Sequence, residues 1–156
     1  MSGAVGPVVR QPDVTAGQSA SVAIFLLALG VLVHVVSWLS PVYDKTLGFE
    51  AYRACFPMIF KLEEGKTLSQ ILAALTPHTN YLVVAAVYLV IRKRSVSSIW
   101  AIAISLVLGL LCNLVWMSDP ESFSHLKFGY YLWLCSFALI AGAAGLTTRK
   151  FRQPSD

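Results

Sequence analysis

Four long apolar runs, free of Asp, Glu, Lys and Arg, occupy most of this chain: Ala20 to Pro41, Ser69 to Ile91, Val96 to Met117 and Phe128 to Leu146. At about 1.5 Å per residue a helix over any of them is long enough to cross a hydrocarbon core of about 30 Å. Only helices and closed barrels satisfy their backbone inside lipid, and runs without alternation favour helices. The expected fold is therefore all-α, a polytopic membrane protein built as a four-transmembrane-helix bundle.

Composition agrees: 56% of the 156 residues are hydrophobic and 13% charged, well under the roughly 25% charged residues of soluble domains. The connections leave no room for a second domain. Residues 1–19 mix Gly, Pro, Gln and Ser without periodicity and read as a flexible tail; residues 149–156 read as a basic tail. Arg10 ahead of the first run suggests a signal peptide, but the run is too long and lacks a small-x-small cleavage site. An uncleaved first span is expected.

The net charge of +4 is explained by span ends and does not imply a nucleic-acid partner. Arg92, Lys93 and Arg94, with Arg149, Lys150 and Arg152, form two basic clusters abutting spans. By contrast, Lys45, Arg53, Lys61 and Lys66 are mixed with Asp44, Glu50, Glu63 and Glu64. Positive-inside bias then places both termini in the cytoplasm, in what is expected to be a bacterial inner membrane. Trp38, Tyr43, Trp116, Tyr130, Tyr131 and Trp133 would mark the outer interface, and Tyr88 and Trp100 the inner one.

The first outer loop, Val42 to Leu68, carries Phe49, Tyr52, Phe56, Ile59 and Phe60 at spacings of three and four. This predicts a short interfacial helix interrupted at Pro57, which either caps the bundle or docks a partner. His125, in the second outer loop, reads as a solvated loop histidine. Ala101, Ser105 and Gly109, and Ala138, Gly142 and Gly145, form small-xxx-small rows that predict close helix packing, either within the bundle or in a homodimer.

Converting position to depth places His34, His78, Asn80, Asn113, Cys112, Cys135 and Ser136 in one band, roughly 16 to 24 Å above the cytoplasmic ends. Polar groups facing lipid are costly, so these are expected to point inward. Pro77 cannot donate to Ala73, so the second span either kinks there or restarts with Thr76 as its cap. Three uses of the layer fit: hydrogen bonds that join helices, a pocket for a lipid headgroup or small molecule built on His34, His78, Asn80 and Asn113, or haem held between His34 and His78. No further haem motif accompanies the histidines, so no cofactor and no metal are expected.

Absences narrow the function classes. No carboxylate or lysine lies within a span to carry a coupled ion, and Cys55, Cys112 and Cys135 form no C-x-x-C pair. With no catalytic set recognisable, the expected role is a non-catalytic accessory, assembly or interaction protein working with the bilayer and with another membrane protein or itself. The alternative is a lipid or small-molecule binding protein that uses the polar layer.

Overall fold

A computed structural model describes residues 14–61, 68–92, 95–118 and 120–149. Most of the expected tails and the basic residues Lys93, Arg94, Lys150 and Arg152 lie outside the described residues, as does the side chain of Arg149. Helix α1 spans Val14–Leu39, starting six residues before the first uncharged run. A two-stranded antiparallel hairpin follows, β1 Pro41–Tyr43 and β2 Thr46–Leu47. Asp44 turns it with a positive φ of 48°, a conformation Asp tolerates because its short polar side chain bonds locally.

The interfacial stripe forms helix α2, Gly48–Cys55, and a 3₁₀ segment, Phe56–Lys61, that carries Pro57. At the start of α2 the Glu50 carboxylate accepts a hydrogen bond from the Leu47 N–H at 2.9 Å. The second apolar run is not one continuous helix. It divides into α3, Leu68–Leu75, a 3₁₀ turn, Thr76–Thr79, and α4, Asn80–Ile91. Pro77 is the physical reason, since its ring removes a backbone donor and clashes with the preceding turn. Thr76 does not act as a cap: its hydroxyl donates back to the Leu72 carbonyl at 3.1 Å, a bond that bends helices.

Helix α5, Val96–Asn113, starts at Ser95, whose Oγ accepts from the Ser98 N–H at 3.3 Å. Two short helices follow, α6 Val115–Ser118 and α7 Pro120–His125, and then α8, Phe128–Arg149. Helix α8 is the hub: α1 and α5 pack extensively along it, and α4 joins it and α5. Phe137 and Ile140 of α8 and Ile99 and Leu106 of α5 are fully buried at its centre.

Among the described residues three helices, Gln18–Leu39, Val96–Ser118 and Phe128–Thr148, are long and apolar enough to cross a bilayer. The 16-residue stretch Thr76–Ile91 is shorter. The outer surface confirms where such helices belong: Ile24, Val84, Ile91 and Leu108 are more than half exposed, while Ser37, Asn113, Ser136 and Thr148 are buried. Apolar groups outside and polar groups inside suit lipid as the solvent. Near the Arg92 end of α4 the guanidinium lies 5.9 Å over the Tyr88 ring, a cation–π contact.

Candidate functional site

The hairpin end of the bundle is roofed. The hairpin is tied to the segment before α8 by backbone hydrogen bonds, Asp44 N to His125 O at 2.9 Å and Lys127 N to Val42 O at 3.1 Å. His125 does not stand alone as a loop residue: its Nδ1 pairs with Asp44 Oδ1 at 2.9 Å, and its ring stacks on Tyr43 at 5.4 Å. Glycines let this roof settle on the spans. A Cβ at Gly48 would lie 2.5 Å from the Ser37 carbonyl oxygen, and one at Gly129 2.6 Å from that of Pro41.

Beneath the roof is a cavity of about 310 Å³, within the size range of small-molecule sites. Trp38 of α1, Tyr43 of the hairpin and Ala51 and Tyr52 of α2 wall one side. Pro77, Trp116, Tyr130 and Trp133 wall the other, with Ser37, Thr76 and Asn80 as polar points. Most of this surface is apolar. A second hollow of about 400 Å³ runs between α1 and α4, past His34, Val35, Leu39, Val83 and Val84. The two share Trp38, Tyr52 and Asn80, and the Trp38 and Tyr52 rings stack at 5.3 Å where they adjoin.

The residues of the expected polar layer fall into separate groups. Trp133 Nε1 donates to Asn80 Oδ1 at 2.9 Å, and Asn80 Nδ2 donates to the Pro77 carbonyl at 2.8 Å. The indole is only a donor, so these bonds fix the orientation of the amide. Trp116 Nε1 donates to Thr76 Oγ1 at 3.3 Å. Asn113 Nδ2 reaches Thr79 Oγ1 at 3.4 Å, and the Tyr130 hydroxyl caps the Asn113 carbonyl. Asn113 Oδ1 is buried without a partner.

His34 belongs to a different contact, its Nδ1 lying 2.9 Å from Ser136 Oγ. The Ser136 hydroxyl gives its only hydrogen to the Trp133 carbonyl at 2.6 Å, which assigns the donor role in this contact to His34 Nδ1 and, in the neutral ring, leaves Nε2 as an acceptor. His78 joins neither group. Its ring stacks on Phe56 at 4.8 Å with Phe60 and Tyr81 nearby, and its Nδ1 is buried without a partner. His34 instead has Trp38 and Phe137 as ring neighbours. The two histidines thus have separate aromatic surroundings, unlike a shared pair of axial ligands.

Of the small residues, Gly109 meets a neighbouring helix, where a Cβ would lie 3.2 Å from Leu82 Cδ1. Ala101 and Ala138 are exposed, and Ser105 bonds to the Ala101 carbonyl at 2.9 Å. Gly142 and Gly145 have open space at the Cβ position. A close α1–α8 approach is at Gly30, where a Cβ would lie 2.6 Å from Ile140 Cγ1. Gly30 has Leu26 and His34 four residues to either side, so it belongs to no small-xxx-small row. Of the residues expected to build a pocket, His34, His78, Asn80 and Asn113, only Asn80 lines this cavity; its aromatic walls had their sequence signal in the aromatic residues at the span ends.

Outside the spans, burial pushes the Cys55 thiol pKa up, and the hydrogen bond to Tyr81, at 3.2 Å, raises that of Tyr52. Among the described residues no group of three His, Cys, Asp or Glu side chains is placed to hold a metal. No protein-family model, no curated protein and no solved structure matches the chain. Fold and surface together define a multi-pass, mostly helical membrane protein.

Proposed function

We propose that this protein is a non-catalytic, membrane-embedded binding protein that holds a small, largely apolar molecule in the cavity at the hairpin end. In this reading α4 and its 3₁₀ turn make the fourth crossing, about 26 Å long from their helical rises. Both termini are cytoplasmic, so the roof and cavity belong to the outer leaflet of a bacterial inner membrane. The observation that carries the proposal is the roofed cavity of about 310 Å³ with Trp38, Tyr52, Trp116 and Trp133 around it. A concave, mostly apolar site of this size with a few polar groups is the usual form of a ligand pocket, and with the Trp116 and Trp133 indoles fixed by hydrogen bonds it favours ligand binding over the accessory or assembly role.

The test is titration of the protein in mild detergent with 1-aminoanthracene, a neutral apolar fluorophore, alongside Ala51→Phe, which fills the cavity from its roof. Saturable binding that weakens by about tenfold in the folded variant is expected. Absence of saturable binding, or binding indifferent to Ala51→Phe, refutes the proposal.

A further inference from the structure

We infer that the hollow between α1 and α4 is a lateral portal through which the cavity is loaded from the bilayer, and that its occupant is a neutral single-chain amphiphile. This rests on the binding function proposed above. Helices α1 and α4 both pack on α8, and the hollow of about 400 Å³ lies between them. Its mouth is formed by Leu39 and Val84, 68% and 69% exposed, on the same faces that meet lipid elsewhere on these helices. A hydrocarbon chain in the bilayer reaches this mouth without crossing water.

Trp38 and Tyr52 line both the portal and the roofed cavity, and their stacked rings form the partition between them. A rotamer change at either ring joins the two spaces. The chemistry of the occupant follows from the lining. Among the described residues no Asp, Glu, Lys or Arg lines either space, so a charged headgroup would be desolvated without a counter-charge, at a cost of several kcal/mol. The polar groups are neutral as well: Ser37, Thr76 and Asn80 in the cavity, already hydrogen-bonded within the protein, and in the portal His34, whose neutral ring offers Nε2 as an acceptor, and the paired hydroxyls of Tyr52 and Tyr81. They suit a hydroxyl-bearing headgroup, while Val35, Val83 and Val84 flank its chain.

The experiment uses the full chain in phosphatidylcholine vesicles with a monoacylglycerol bearing a diazirine in its acyl chain, photolysed and mapped by peptide mass spectrometry. Labelling is expected to concentrate at Val35, Trp38 and Val84 over Ile104 and Leu108 on the lipid face of α5. Unlabelled monoacylglycerol should compete, and oleate should compete about tenfold less well. Val84→Trp, which plugs the mouth, should cut labelling at Trp38 by about tenfold, whereas Val107→Trp on α5 should leave it unchanged. Uniform labelling of all exposed faces overturns the portal, and equal competition by oleate overturns the neutral headgroup. If 1-aminoanthracene binds but the portal is unlabelled, the cavity function stands and the route fails; if the portal labels but the fluorophore does not bind, the cavity function fails.

Discussion

Gly30 and Gly142 sit mid-helix in α1 and α8, yet replacing each with Ala should have opposite effects. At Gly30 the new Cβ would lie 2.6 Å from Ile140 Cγ1, 3.2 Å from Leu139 Cβ and 3.3 Å from the Ile140 backbone nitrogen. An ordinary contact begins at 3.4 Å, so about 0.8 Å of relief is needed at the closest atom. Ile140 is fully buried and β-branched, with one strongly preferred rotamer in a helix, and its backbone nitrogen moves only with α8. The helices must therefore separate, and overpacking of this kind costs about 1–3 kcal/mol. At Gly142 nothing lies within 4 Å, so Ala contributes only its better helix propensity, about 0.5–1 kcal/mol.

That propensity gain is common to both sites and cancels in their difference, which isolates the packing cost at about 2 kcal/mol. Gly30→Ala should thus have a folded-to-unfolded ratio about thirtyfold lower than that of Gly142→Ala. Reversible unfolding by SDS in mixed micelles, followed by circular dichroism, measures it. Two variants of equal stability would refute the close α1–α8 approach.

The buried polar bonds make a second comparison: Trp133→Phe orphans Asn80 Oδ1 and should cost about 1–3 kcal/mol, whereas Asn113→Leu removes an oxygen that already has no partner and one long 3.4 Å bond to Thr79, whose hydroxyl keeps its bond to the Thr76 carbonyl, and should cost less in the same assay. In a variant lacking Cys112 and Cys135, Cys55 should alkylate more slowly at pH 8 than a cysteine introduced by Phe60→Cys, because burial raises its pKa and depletes the reactive thiolate. The gap should narrow as pH rises, and equal rates at pH 8 would contradict the burial. Membrane-impermeant maleimide on intact cells tests orientation in a cysteine-free background: Phe60→Cys should label at once and Ser95→Cys only after permeabilisation, the reverse pattern inverting the topology. Asp44→Asn removes the exposed charge pairing with His125 and Lys127 while keeping a residue that tolerates the positive φ, and should lower stability by no more than about 1 kcal/mol, since backbone hydrogen bonds also hold the roof; a larger loss would make the ion pair the main fastening.

Membrane residence and helical class were legible because they depend on local composition: a run without charge cannot be solvated as a surface, and a backbone in lipid must bond within its own helix. The break at Pro77 was legible for the same reason, as was the helix over Phe49 to Phe60. The polar layer was read as one unit because depth along a helix follows from residue count. The direction a side chain takes at that depth does not, and His34, His78 and Asn80 went to three different sets of neighbours.

Sequence alone determined which segments are apolar, where helices are interrupted and which residues share a depth, since each depends on near neighbours in the chain. Only the tertiary structure decided that α8 is the hub, that Gly30 is a tight contact while Gly142 is open, and that a roof covers a cavity between Trp38 and Trp133. Those features arise where helices distant in sequence meet. Their geometry is set by the shapes of both partners, and no single run of residues carries that information.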